Sequence, residues 1–127
     1  MRIVTAFVPA LLYAAIIFLL SAQPDPLPFL PPEIILQDKL LHGLAYALLG
    51  ALLVPGFRGT ACSPRGAFLL SVALASLYGA TDEIHQSFVS GRNADVLDWV
   101  ADTLGAAIGA AMATAATRAL RRPRGAG

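Results

Sequence analysis

The chain has 127 residues, of which 57% are hydrophobic and 13% charged, and its nine Lys and Arg against eight Asp and Glu leave a net charge of +1. Soluble domains carry about 25% charged residues and roughly 45–50% apolar ones. With a mean hydropathy of +0.68, this composition argues against a disordered chain and against a basic nucleic-acid-binding protein. It favours a single membrane-embedded domain over residues 1–127.

Four apolar stretches, at residues 3–21, 38–54, 67–86 and 96–119, predict four transmembrane helices. The first has 19 uncharged residues, enough to cross a hydrocarbon core of about 30 Å. A cleaved signal peptide is the alternative, but the run is too long for one and Leu20 stands where a small residue is needed. In the fourth stretch, Gly105 and Gly109 have the small-xxx-small spacing of closely packed membrane helices.

The connecting segments complete the expected architecture. The prolines between Gln23 and Pro32 exclude a continuous helix there, and residues 57–66 and 87–93 are predicted loops, the second with Gly91 inside it. Four spans joined by these segments predict an all-α, four-transmembrane-helix bundle of two helical hairpins. A basic C-terminal tail, residues 120–127, follows the last span.

The arginines are sorted along this topology. Four spans put both termini and the second loop on one side, and that side carries seven arginines and no acid: Arg2, Arg58, Arg65, Arg118, Arg121, Arg122 and Arg124. The positive-inside rule then predicts that both termini are cytoplasmic (N-in/C-in). All the acids are expected on the extracytoplasmic side or in the outer halves of the helices.

Polar side chains gather at that end and are the candidate pocket residues. They recur on one face of each predicted helix, at i, i+4 and i+8 in the second and at i, i+3 and i+7 in the fourth. The set consists of Asp38, Lys39, His42, Tyr46, Asp82, Glu83, Gln86, Arg92, Asp95, Asp98 and Asp102. Ionisable groups in membrane helices face the bundle interior or a water-filled cavity and mark function.

Two interpretations of this cluster stay open at the level of sequence. It is either a network that fastens the hairpins, with Arg92 paired to Asp95 or Asp98 and Lys39 paired to Glu83, or a pocket that binds a ligand or performs catalysis. A path for protons or cations is a further alternative.

The same residues resemble a known family. Asp38-Lys39 with His42, Asp82-Glu83 with Gln86, and then Arg92 and Asp98 are similar to the motifs of the VanZ-like family of small bacterial membrane proteins, over roughly residues 10–115. The chain departs from the family in its closing N-T-x-G segment, where it has Asp102 instead of Asn. This adds an acid to an already acidic cluster.

The resemblance implies a multi-pass protein of the bacterial cytoplasmic (inner) membrane with a role in the cell envelope. The family's namesake is associated with lowered susceptibility to the glycopeptide teicoplanin. The expected partners are the lipid bilayer and either a lipid-linked envelope precursor or a glycopeptide, with no nucleic acid. The sequence assigns no cofactor and no metal, and it leaves the oligomeric state open.

Two other functions are compatible with the pattern. In a membrane-embedded hydrolase or transferase acting on a lipid-linked substrate, Glu83 or His42 would be the general base, and Lys39 and Arg92 would hold a phosphate or carboxylate. A hard divalent cation would then sit among four acids: Asp38, Glu83, Asp98 and Asp102. In a small proton- or cation-coupled transporter, Asp102 would be the titrating acid.

Overall fold

The computed structural model describes residues 2–24 and 38–121, and these contain four α-helices and no strand. The helices are α1 (Arg2–Ser21), α2 (Asp38–Gly59), α3 (Pro64–Gln86) and α4 (Val96–Arg121). Each of them is long and apolar enough to cross a membrane. The prediction of an all-α fold with four membrane-spanning helices is confirmed.

Two helix boundaries differ from those predicted at the loop between α2 and α3. Helix α2 continues through Pro55 to Gly59 instead of ending at residue 54, because one proline removes a single backbone donor and membrane helices tolerate that loss. Helix α3 begins at Pro64, three residues before the predicted start, since Ser63 accepts a hydrogen bond from the Gly66 amide and Pro64 suits the first turn. The loop therefore spans residues 60–63 rather than 57–66.

At the C-terminus, α4 extends two residues past the predicted end at 119, to Arg121. The rest of the predicted basic tail, residues 122–127, and the proline-rich connector, residues 25–37, lie outside the described part of the chain.

Helices α2 and α4 make the most extensive contact in the bundle. Glycines allow their backbones to approach: a Cβ atom at Gly105 would overlap the carbonyl of Gly43, and one at Gly109 would overlap the carbonyl of Ala47. The close contact predicted from the glycine spacing is confirmed. Helix α4 thereby carries its acids against the polar start of α2.

The outer surface of the bundle is apolar, and its interior is filled by alanines, aliphatic side chains and aromatic rings. Leu40, Leu44 and Leu48 form an exposed stripe on α2 at i, i+4 and i+8, with similar exposed side chains on α4. The buried core includes Tyr46 and Ala106. An apolar exterior of this extent suits lipid as the surrounding solvent.

The two ends of the bundle differ in chemistry. At one end, the first turn of α1 approaches the last turn of α2, where Ile3 lies 3.8 Å from a Cβ built on Gly59. At the other end, Arg92 donates a hydrogen bond to the carbonyl of Gln23, just after α1. We call this second end the polar end: it comprises the last turns of α1 and α3, the first turns of α2 and α4, and residues 87–95.

Candidate functional site

Lysine 39 joins α2 to α4 at the polar end. Its Nζ atom lies 2.8 Å from Asp95 Oδ2 and 2.7 Å from Asp98 Oδ1. The Lys39 hydrogen bond, together with one from the Leu97 amide, lowers the pKa of Asp95 below its ordinary value. Because Lys39 and Asp95 are both about half exposed, we expect water to weaken this ion pair.

One turn deeper, His42 contacts Asp102. The Nδ1 atom of His42 lies 2.9 Å from Asp102 Oδ1, and Asp102 is fully buried. Gly79 on α3 leaves room for this carboxylate, since a Cβ atom there would lie 3.0 Å from Asp102 Oδ2. On the other side of the ring, His42 Nε2 lies 4.0 Å from Asp98 Oδ2. Helices α2 and α4 thus hold an imidazole between two carboxylates.

The acids of α3 have different partners. Glu83 Oε2 accepts a hydrogen bond of 2.8 Å from the Asp95 backbone amide, which ties α3 to the start of α4. Asp82 Oδ2 accepts one of 3.1 Å from Gln86 Nε2. Gln86 in turn accepts a hydrogen bond of 2.8 Å from Arg92. The neighbouring acids therefore contribute to separate parts of the site, as their positions on the helix predict.

The ion pairs predicted for a network that only holds the hairpins together are not the ones that the structure shows, so this prediction is wrong. Lys39 contacts Asp95 and Asp98 instead of Glu83. Arg92 contacts neutral oxygens instead of Asp95 or Asp98. Because α2 packs closely on α4, Lys39 lies against both aspartates. Arg92 instead contacts residues at the ends of α1 and α3.

Most of the predicted pocket residues meet at the polar end, but in two groups. The first group consists of His42 with the side chains that link α2, α3 and α4: Lys39, Glu83, Asp95, Asp98 and Asp102. The second group lies with His42 around a cavity and consists of Tyr46, Asp82, Gln86 and Arg92. Asp38 is the first residue of α2, and its side chain is outside the described part of the structure.

The cavity lies among α1, α2 and α3 and has a volume of about 130 Å³. Its walls are mixed, and its lining residues are Ile17, Leu20, Ser21, Leu41, His42, Ala45, Tyr46, Asp82, Gln86 and Arg92. Three of the polar atoms on these residues are buried and have no hydrogen-bond partner in the described chain: Ser21 Oγ, Tyr46 OH and Asp82 Oδ1. Such atoms are costly unless a bound molecule satisfies them.

Helix α1 supplies cavity residues that the sequence did not reveal. Ser21, Ile17 and Leu20 stand in an uncharged run that is indistinguishable from a plain membrane anchor. The only available signal was Ser21, the polar residue that ends the run. Pattern analysis of single helices does not show which face of an anchor helix lines a cavity.

Comparison with known proteins agrees with this architecture. The family model described as VanZ/LLP1 matches residues 4–117, which is most of the chain and includes all four helices almost completely. Searches of curated proteins and of solved structures find no significant match. The chain is a multi-pass membrane protein that belongs to the VanZ/LLP1 family.

Proposed function

We propose that this protein binds the anionic headgroup of a bacterial envelope lipid, or of a lipid-linked envelope precursor, in the cavity at its polar end. The mixed lining of the cavity carries the proposal. The apolar wall of the cavity is formed by Ile17 and Leu20 of α1 and by Leu41 of α2, and the cation Arg92 lies beside this wall. An amphipathic lipid matches this combination, because its acyl or prenyl chain and its headgroup need opposite surroundings.

Arg92 is suited to an anion because no carboxylate in the described part of the chain forms an ion pair with it. Its hydrogen bonds within the described chain go to the carbonyl of Gln23, at 3.5 Å, and to Oε1 of Gln86, at 2.8 Å. A guanidinium stays charged and has five N–H donors in a fork that fits phosphate and carboxylate. Three of these donors are left for a ligand.

The sorting of charges supports an extracytoplasmic location for the cavity. Arg58, Arg65 and Arg118 belong to the end opposite the polar end, and the positive-inside rule favours the cytoplasm for that end. The polar end would then face the compartment where glycopeptides meet peptidoglycan precursors. On this proposal the protein alters susceptibility to teicoplanin-type glycopeptides by binding such a precursor or a lipid near it.

The test is to identify the lipid that co-purifies with the full chain in a mild detergent. Mass spectrometry should find a lipid with a phosphate or pyrophosphate headgroup that is enriched over the bulk membrane extract. Arg92→Ala should lower the affinity for that lipid at least about tenfold, because a hydrogen bond to a charged group contributes about 1.5–3 kcal/mol.

Arg65→Ala is the matched control, since it removes an exposed arginine from the opposite end of the bundle. This variant should keep the enrichment seen with the wild type. The proposal fails if wild-type protein carries lipids in the same proportions as the bulk membrane. It also fails if Arg92→Ala, purified as a helical and monodisperse protein, retains the full enrichment.

A second candidate function is hydrolysis or group transfer on a lipid-linked substrate. The observation that favours it is the contact of 2.9 Å between His42 Nδ1 and Asp102 Oδ1 beside the cavity. A carboxylate on one ring nitrogen orients an imidazole as a general base through the other. Turnover of a lipid-linked phosphate by wild-type protein, abolished in His42→Ala, would support this function. A complete lack of turnover would exclude it for that substrate.

A further inference from the structure

We propose that His42, Glu83 and Asp98 form a binding site for a divalent transition-metal ion, of which Zn²⁺ and Mn²⁺ are the best matches. One ligand atom from each of these side chains lies within 4.8 Å of the other two. The site is separate from the lipid-binding proposal, because only His42 of these three lines the cavity.

The gap between the imidazole of His42 and the carboxylate of Asp98 is too wide for a hydrogen bond and leaves room for an ion. His42 Nε2 lies 4.0 Å from Asp98 Oδ2, which is beyond hydrogen-bonding range. Two metal–ligand bonds of about 2.0–2.2 Å reach at most about 4.0–4.4 Å from ligand to ligand. Both atoms are therefore within reach of one ion, and tetrahedral binding would draw them closer together.

Outer hydrogen bonds hold two of the proposed ligands in place. Asp102 Oδ1 lies 2.9 Å from Nδ1, the other ring nitrogen of His42. With the ion on Nε2, Nδ1–H would donate to Asp102, which is the arrangement that orients metal-binding histidines in proteins. The Asp95 backbone amide holds Glu83 through Oε2, at 2.8 Å. Both side chains are thus fixed by an atom that need not bind the ion.

Asp98 is also held in place by one carboxylate oxygen while the other is available to the ion. Its Oδ1 atom accepts a hydrogen bond of 2.7 Å from Lys39, and its Oδ2 atom lies on the side of His42. The lysine charge opposes a second cation nearby, but Lys39 is also paired with Asp95, whose carboxylate offsets that charge.

A buried oxygen without a partner is an independent sign of a ligand. Glu83 is only 6% exposed, and its Oε1 atom has no hydrogen-bond partner in the described chain. Leaving a carboxylate oxygen buried and unpaired is costly. A metal ion between Glu83, His42 and Asp98 would give this oxygen a partner.

The charge balance of the polar end points the same way. Among the described residues, its permanent cations are Lys39 and Arg92. Its five acids are Asp82, Glu83, Asp95, Asp98 and Asp102. An excess of negative charge in a largely buried site needs a cation or bound protons. The donor set of one imidazole nitrogen and two carboxylate oxygens suits Zn²⁺ or Mn²⁺, whereas Ca²⁺ and Mg²⁺ prefer oxygen ligands throughout.

The test uses the full chain in detergent, freed of its affinity tag and treated with EDTA. We expect it to bind one Zn²⁺ per chain in a calorimetric titration, with the bound metal counted by elemental analysis after gel filtration. Mn²⁺ should compete for the same site. Glu83→Gln should weaken Zn²⁺ binding at least about 100-fold, more than the 10–100-fold loss that follows removal of an outer hydrogen-bond partner.

Asp82→Asn is the matched control, because it neutralises the adjacent buried acid of α3 without touching the three ligands, and its loss of metal affinity should be far smaller than that of Glu83→Gln. If Glu83→Gln does not fold, X-ray absorption of the Zn²⁺-loaded wild type decides the matter through its ligand atoms. Nitrogen and oxygen ligation supports the site. A sulfur ligand, which would place the ion at Cys62, overturns the proposal, as do sub-stoichiometric binding and unchanged affinity in a folded Glu83→Gln variant.

Discussion

Gly105→Ala is expected to destabilise the bundle by about 2 kcal/mol net, since a clash with backbone atoms should cost the upper end of the ~1–3 kcal/mol that is typical of overpacking. The new Cβ atom would overlap the carbonyl oxygen, the carbonyl carbon and the Cα atom of Gly43. These are backbone atoms, so no rotamer change relieves the clash, and α4 must move away from α2. The loss should exceed the gain of about 1 kcal/mol that alanine brings to a helix interior.

Gly43→Ala is the control for this prediction, because it makes the same chemical change on the facing helix. A Cβ atom at Gly43 would lie 3.6 Å from the carbonyl oxygen of Ala101, which is an ordinary van der Waals contact. This variant should be as stable as the wild type or slightly more stable. Unfolding in detergent, followed by circular dichroism, measures both variants. Equal stability of Gly105→Ala and wild type would contradict the helix packing described above.

Asp102→Ala should have the next largest effect, because it removes a fully buried carboxylate and the hydrogen bond that this group makes with His42. Leaving a buried polar group unpaired costs about 1–3 kcal/mol, and we expect a loss of stability of that size. Asp102→Asn keeps an acceptor oxygen for the ring nitrogen, so it should be far less harmful. Asn is also the residue that VanZ-like proteins commonly have in this segment.

A double-mutant cycle separates this contact from the general cost of a cavity. Asp102→Ala and His42→Ala should be less harmful together than the sum of their separate effects, with a coupling energy of about 0.5–3 kcal/mol, as for residues in direct contact. Additive losses in the cycle would show that the pair contributes no interaction of its own. Unfolding in the same detergent provides all four stabilities.

The sequence predicted the helices and the location of the polar end because both follow from local patterns. An uncharged run of membrane length and acids spaced by one helical turn need no knowledge of tertiary contacts. The turn around Gly91 was also predictable, and its φ of 82° is one that glycine adopts readily. The continuation of α2 through Pro55 to Gly59 was not predictable, since a single proline does not decide whether a membrane helix stops.

The partners of the site residues could not be predicted for a different reason. Lys39 has several acids within reach along the chain, and only the close packing of α2 on α4 selects Asp95 and Asp98. The same packing leaves Arg92 with neutral oxygens near the cavity. Partner choice depends on how helices approach each other, which here is decided by the glycines of α4 and not by the charges themselves.

The proposal of an envelope ligand depends above all on the side of the membrane to which the polar end opens. The chain has one cysteine, Cys62, in the loop between α2 and α3 at the opposite end, so labelling with a membrane-impermeant maleimide is specific. The companion variant is Ser90→Cys with Cys62→Ala, which moves the thiol to an exposed position at the polar end.

In intact bacterial spheroplasts, Ser90→Cys should be labelled at once, and wild-type Cys62 should react only after the membrane is permeabilised. The reverse pattern, with Cys62 labelled from outside and position 90 protected until lysis, would place the cavity on the cytoplasmic side and contradict an extracytoplasmic ligand.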